Sequence, residues 1–331
     1  MWFRHICAAA LIAAGVHALS AQASAQTSPQ TSTHSWPTKP IRVIIPFAAG
    51  SATDIIPRTV LDAVSAELGQ PIVIENRAGG GTTIGANTVA KADADGYTLL
   101  ATSSAHTISH AVFPNMPYDT ERDFVDIAPM AIGPNVLIIS PSKGIKTAQE
   151  LVAAAKAKPG TFNFASAGVG TATHLSAERF RIAAGYEAVH VPFKGGAEAL
   201  TEVISGRVEY YFCPLGTATP FIKEGKVLAL VQSTPTRAAG LPDVPSALEL
   251  YPNSDYPFWI ALFGPAKLPH EIVDKLNATI QKVLRTDAMK AKLAQLGVEP
   301  MYMTSAEFTP YVNKEIVSAG GLAKAVGLKA N

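Results

Sequence analysis

The sequence predicts an α/β protein with mostly parallel sheets, arranged as two lobes. Three observations carry this. Strand-like apolar runs alternate with helix-like stretches along the chain. A strand, a loop of small residues and a helix start follow one another twice, once around Ile41 to Arg58 and again from Phe162 to Gly185. About 300 residues remain behind an N-terminal leader, enough for two domains.

The leader comes first. Of 331 residues, 1–25 read as a secretory signal: Arg4 gives a positive start, Ile6 to Val16 is a short apolar run, and Ala23-Ser24-Ala25 fits a cleavage site, with Ala21 as a competing one. The apolar run is too short to span a bilayer. Residues 26–36 are polar and rich in Ser and Thr, as a loose leader would be. Losing Arg4 takes the formal net charge from +1 to about zero, so nothing suggests a nucleic-acid or polybasic membrane surface. Of the two cysteines only Cys213 survives cleavage, so no internal disulfide is expected. Export without disulfides suits a Gram-negative periplasm.

IRVIIPF (41–47) is nearly continuous in apolar residues, as a strand covered on both faces would be. Ala48, Ala49, Gly50, Ser51 and Ala52 then leave room for a ligand close to the backbone. Asp54 is placed as the helix N-cap and Pro57 in the first turn. Such a helix start, with free N–H groups and a positive dipole end, suits an anion. Strands follow at 71–76 and 97–104, separated by the Gly-rich turn RAGGGTTIG (77–85). Residues 128–140 and 255–266 are apolar enough to cross between lobes.

The second block repeats the plan: strand FNFAS (162–166), loop AGVGTAT (167–173), helix from His174, then strands at 187–193, 208–213 and 227–233. Near the C-terminus, Ile272, Val273, Leu276, Ile280 and Leu284 form the stripe of an amphipathic helix. Two small-residue loops, one per lobe, could face each other across a cleft, where ligands of open α/β sheets sit. A handful of hydrogen bonds could hold a small carboxylate with no arginine present. Phe47 and Phe193 end strands on the proposed cleft face and are candidate walls, and His174 is a candidate donor. Arg58 and Arg77 read better as ion-pair partners.

Other chemistries are poorly supported. Neither glycine-rich turn completes a dinucleotide fingerprint, since Ile84 and Thr173 stand at the third glycine position. No G-x-S-x-G surrounds a serine, His270-Glu271 does not continue to a zinc motif, and no cysteine cluster could hold a metal. No catalytic residue, metal or cofactor is expected.

The runs at 36–54 (WPTKPIRVIIPFAAGSATD), 69–86, 94–100, 117–124, 158–175, 191–208, 241–249 and 263–277 resemble, in order over almost the whole mature chain, the Bug receptors. These are periplasmic substrate-binding proteins of tripartite tricarboxylate transporters. The resemblance implies a two-lobed Venus flytrap fold with two interdomain crossovers. Lobe 1 is expected at 37–130 and 255–331, lobe 2 at 131–254. A small carboxylate would sit between Ala49, Gly50, Ser51, Thr53 and Asp54 on one side and Ser166, Gly168, Gly170, Thr171 and His174 on the other, partly through waters. Ser103, His106 and Phe193 would border the rest. Replacing Thr171 by valine is expected to weaken binding and leave melting nearly unchanged.

Two positions depart from the family pattern. Ser51 stands where a second glycine is common. Cys213, which the resemblance also places at the ligand, stands where many members carry an aspartate suited to an ammonium group. The ligand expected is therefore a dicarboxylate or aromatic acid, not an amino acid. The partners expected are integral membrane transporter subunits, and the chain itself is expected to be a monomer that binds no nucleic acid. A sensor kinase is the alternative partner, and a periplasmic hydrolase is the weaker rival.

Overall fold

The computed structural model describes residues 36–113, 115–325, 327 and 328; the expected signal segment and all but the last residue of the leader lie outside them. The chain opens with β1 (Ile41–Ile45), α1 (Ala52–Leu68), β2 (Ile72–Asn76), α2 (Thr83–Ala90), β3 (Thr98–Ser103), α3 (Ala105–Val112) and β4 (Phe124–Gly133). It crosses to β5 (Asn135–Ile139), α4 (Ala148–Ala157), β6 (Asn163–Ser166), α5 (Ala172–Ala184), β7 (Val189–Pro192), α6 (Gly196–Ile204), β8 (Tyr210–Pro214), α7 (Leu215–Lys223), β9 (Leu228–Gln232) and α8 (Ala247–Leu250). It returns through β10 (Phe258–Pro265), α9 (His270–Leu284), α10 (Asp287–Gln295), β11 (Glu299–Pro300) and α11 (Ser305–Ala325).

These strands make two sheets with one plan. The first runs β11-β4-β10-β3-β1-β2 and the second β7-β6-β8-β5-β9. Read from opposite ends, β4-β10-β3-β1-β2 matches β9-β5-β8-β6-β7. In each, the three strands at one end are parallel. The strand that arrives from the other lobe, β10 or β5, runs antiparallel to both its neighbours. Parallel neighbours need helical crossovers, which puts every βα loop of one lobe at the same edge of its sheet.

Local chemistry explains the elements. In β1, Ile41, Val43 and Ile45 join one core layer with Ile56, Val60 and Val64 of α1, while Ile44 faces the opposite layer with Trp259 and Phe263. The run is buried on both faces as its composition demands, except for Arg42. Gly69 ends α1 in the left-handed conformation. The stripe of α9 is buried throughout. Each such side chain contributes about 1.5–3 kcal/mol on leaving water.

Two boundaries differ from expectation. Trp36 is 5 % exposed and packs in the first core, with its carbonyl accepting from Lys275 Nζ at 2.6 Å, so it belongs to the fold and not to a loose leader. Strand β4 stays in the first sheet up to Gly133, which pairs with Phe258, so the first crossover falls at Pro134.

The two crossovers are stitched by buried polar groups. Asn135 N–H donates to Ser233 Oγ (3.0 Å), and Ser233 N–H donates back to Asn135 O (2.9 Å). Asn135 Nδ2 donates to Ser176 Oγ (3.0 Å), whose hydroxyl reaches Tyr256 O (3.2 Å), and Tyr256 N–H donates to Ser233 O (2.8 Å). Burying these groups without partners would be costly, so the network fixes where the chain changes lobes.

His106, expected at the cleft, belongs to the core. It is 1 % exposed and packs edge-on to Phe124 (4.8 Å) and against Phe263 and Tyr118. It occupies the second position of α3, and that face turns inward onto the sheet. Burial lowers its pKa to about 3 from the ordinary 6.5. The folded ring therefore stays neutral, while the unfolded one takes up a proton below about pH 6.5. Stability from the neutral ring is complete above that pH and is lost as pH falls toward 3. His106→Phe should remove this loss, making unfolding free energy fall less steeply between about pH 6 and 4, by up to about 1.4 kcal/mol per pH unit in urea titrations. An unchanged slope would contradict the assignment.

Candidate functional site

The β1–α1 loop is held by its own polar atoms. Gly50 adopts a left-handed φ of +79°. Ser51, not Asp54, is the N-cap of α1, with an extended backbone. Its hydroxyl donates to Ala48 O (2.8 Å), so the hydroxyl of Thr53, 2.9 Å away, donates to Ser51 Oγ. Asp54 sits one turn into the helix and reaches back to accept the N–H of Gly50 at 2.8 Å. Pro57 consequently lies in the second turn, where it cannot supply the N–H that Thr53 O would accept.

The β6–α5 loop repeats the main bonds of this arrangement. Gly170 has φ +76°. Thr171 is the N-cap, its hydroxyl donating to Gly168 O (2.7 Å) and lying 3.0 Å from Thr173 Oγ1. His174 takes the place of Asp54: its Nδ1 accepts the N–H of Gly170 at 3.1 Å. That leaves the ring proton on Nε2, 3.6 Å from Glu178 Oε1, with Arg181 paired to the other oxygen at 2.6 Å. Because Thr171 caps α5, its replacement by valine should also cost about 1 kcal/mol of stability, more than the nearly unchanged melting expected from the sequence.

Each loop rests on partners that sequence reasoning missed. Asn76, at the end of β2, donates to Asp54 Oδ1 (2.8 Å) and Phe47 O (3.0 Å), and accepts from Arg58 Nη2 (2.6 Å). Burial works against the charge of Asp54, but hydrogen bonds from Asn76 and Gly50 and the nearby Arg58 hold its pKa below the ordinary value. In the second loop, Ser166 Oγ lies 2.6 Å from His190 Nε2, and the His190 ring stacks on His174 at 3.6 Å. Burial, then the neighbouring His174, lowers the pKa of His190 to about 3.

The candidates therefore divide. Ala49 and Gly50 are exposed, and Phe47, Ser51, Thr53, Gly168, Thr171 and Phe193 are half-buried on or beside the loops. Asp54, Ser166, Gly170 and His174 are buried supports that shape the loops from behind. Ser103 is buried and accepts from Ala105 N–H at 3.3 Å. Cys213 is a correction: it lies wholly within the core beside Val136 and Ala165, and burial pushes its thiol pKa up. Its neighbours in β8 are large and apolar, so the strand face it occupies is the packed one. Arg58 is tied to Asp54 and Asn76, and Arg77 to Glu75. The loops thus present helix starts and hydroxyls and no unpaired arginine.

The lobes touch on both sides of these loops. Val169 packs against the first core, and Gly170 lies beside Val112 and Ile108 of α3. On the other side, the first turn of α7 meets the α10–β11 turn so closely that a Cβ on Gly216 would lie 2.0 Å from Leu296 O. A gap of about 160 Å³ borders that contact and the Gly50 loop.

Two sheets of one plan, joined by two crossovers and meeting at matched loops, define a two-lobed binding protein of the periplasmic type. Residues 56–328 match the tripartite tricarboxylate transporter family receptor, and the chain belongs to that family. It is 34 % identical over 266 residues to a protein from the tcbD-tcbE intergenic region of Pseudomonas sp. strain P51, covering 80 % of this chain and 79 % of that one. It is 31 % identical over 310 residues to BugT of Bordetella pertussis, covering 93 % and 95 %. Among solved structures, a Rhodopseudomonas palustris protein with adipate superposes with a TM-score of 0.81 at 31 % identity, covering 88 % of this chain and 98 % of that one. MatC of the same organism, with bound malate, gives 0.78 at 30 %, covering 86 % and 99 %.

Two substitutions test the geometry. Asp54→Asn removes charge-assisted bonds and should destabilise by about 1.5–3 kcal/mol at pH 7. Because the carboxylate pKa is lowered, its contribution is complete above about pH 4 and fades as pH falls through the folded value, so the difference between variant and parent should shrink on acidification in denaturant titrations. Gly216→Ala places a methyl against Leu296 O. It should either lower stability by about 1–3 kcal/mol through overpacking or spread the lobes, seen as a larger radius of gyration in small-angle scattering. Parental values of both would show the contact to be loose.

Proposed function

We propose that this chain is a periplasmic receptor that captures a small carboxylate between its lobes and presents it to integral membrane subunits of a tripartite tricarboxylate-type transporter, without catalysing a reaction. The observation that carries this reading is the pair of matched loops. The first N–H groups of α1, at Ala52 and Thr53, and of α5, at Ala172 and Thr173, have no acceptor within their own helices. Both helix starts suit negative charge. Charge-assisted bonds from such donors contribute about 1.5–3 kcal/mol each, enough in sum for a small acid without an arginine.

In this reading the lobes are 36–133 with 258–328, and 135–253, with Pro134 and the 254–257 segment as the connections. The ligand meets Ala49, Gly50, Ser51 and Thr53 from one side and Gly168 and Thr171 from the other. Phe47 and Phe193 wall the space, and Asp54, Ser166, Gly170 and His174 act through the loops they hold. Closure then changes the surface offered to the membrane subunits. The family membership supports a carboxylate ligand, as do the adipate and malate carried by the two R. palustris proteins. No observation favours a sensor kinase as partner.

The test is a thermal-shift screen of the exported protein against mono-, di- and tricarboxylates, aromatic acids and amino acids. An acid at 100 times its Kd should stabilise by about 2.7 kcal/mol, raising melting by roughly 4–10 °C. No shift with any of the carboxylates would refute the proposal.

A further inference from the structure

The gap beside the Gly50 loop has a chemistry of its own. Ala52, Ile55 and Ile56 of α1 form one side, Leu215 and Gly216 of α7 the other, and Phe258 closes it where the chain returns between lobes. Leu296 and Val298 complete a lining whose side chains are mostly apolar; among the described residues Thr217 and Gln295 add the polar side chains and none is charged, while backbone groups keep part of the surface polar. The nearest cation on α1, Arg58, is already bound to Asp54 and Asn76. At about 160 Å³ the gap has room for a single six-membered ring, benzene being held by a cavity of roughly 150 Å³.

We propose that the solute is a monocarboxylate with a ring-sized apolar body. The acid group lies at the Gly50 loop, at the mouth of the gap, and the body fills the space between α1 and α7. This rests on the carboxylate-receptor reading above and narrows it. A second carboxylate driven into the gap would be a buried charge with no cation to meet it. Apolar carbon there gains affinity instead, roughly fourfold per methylene buried.

Calorimetry on the exported protein with benzoate, cyclohexanecarboxylate, acetate, succinate, malate and adipate tests this. Benzoate or cyclohexanecarboxylate should bind at least tenfold tighter than acetate and than each of the three diacids. A diacid as the tightest ligand would overturn the inference and leave the receptor reading standing. Binding of none of the acids would instead remove the reading on which it rests. Ile55 is 40 % exposed, so α1 should accept a change there. Ile55→Lys should weaken benzoate at least tenfold and strengthen adipate, with the circular dichroism of the parent. Ile55→Ala should weaken benzoate by a smaller factor and leave adipate unimproved. Parental benzoate affinity in both variants would place the ring elsewhere and overturn the inference.

Discussion

One hydrogen bond, made twice, governs the site. The N–H of a left-handed glycine turns back to a side chain one turn into the following helix: Gly50 to Asp54, and Gly170 to His174. That bond pulls the loop over the helix start and turns the remaining N–H groups outward. Glycine is required at both corners, because a side chain at these φ values would be strained. Everything behind the loops serves that bond. Asn76 and Arg58 hold the carboxylate, while His190, Glu178 and Arg181 surround the imidazole.

The sheets carry the same economy at larger scale. Each lobe receives one antiparallel strand from its neighbour, so β10 and β5 bind the lobes into the chain's path as well as into their own sheets. The polar stitching around Asn135, Ser176, Ser233 and Tyr256 lies where these strands begin. The chain changes lobes over a short length of backbone at each crossing, and each loop lies at the boundary between the lobes, Gly170 beside Val112 and Ile108 and Gly50 on the gap that Leu215 and Gly216 also line.

Much of this was legible in the sequence, and the limits have physical causes. Small residues between an apolar run and a helix pattern mark both loops, because only backbone that must come close to something else avoids bulk. The helix start at 51 was misplaced to Asp54 because aspartate serves equally well as an N-cap and as a third-position acceptor, and only the backbone angle of Ser51 decides between them. Only the family resemblance places His106 and Cys213 at the cleft. Which face of α3 or β8 they occupy depends on layers contributed by Phe124, Phe263, Val136 and Ala165, which lie far away in the chain. Asn76 and His190 escape sequence reasoning for the same reason. The one available hint was a polar residue near the end of an otherwise apolar strand.

The equivalence of the two loops also bears on selectivity. Jaws built alike, each offering the first turn of a helix, read best a group whose two ends are alike. A carboxylate has two such oxygens, equal by resonance. A primary amide of the same shape has one oxygen and one nitrogen, and would set a donor against the donors of one jaw. Discrimination between acid and amide would then come from the duplication itself, without any charged side chain assigned to the task.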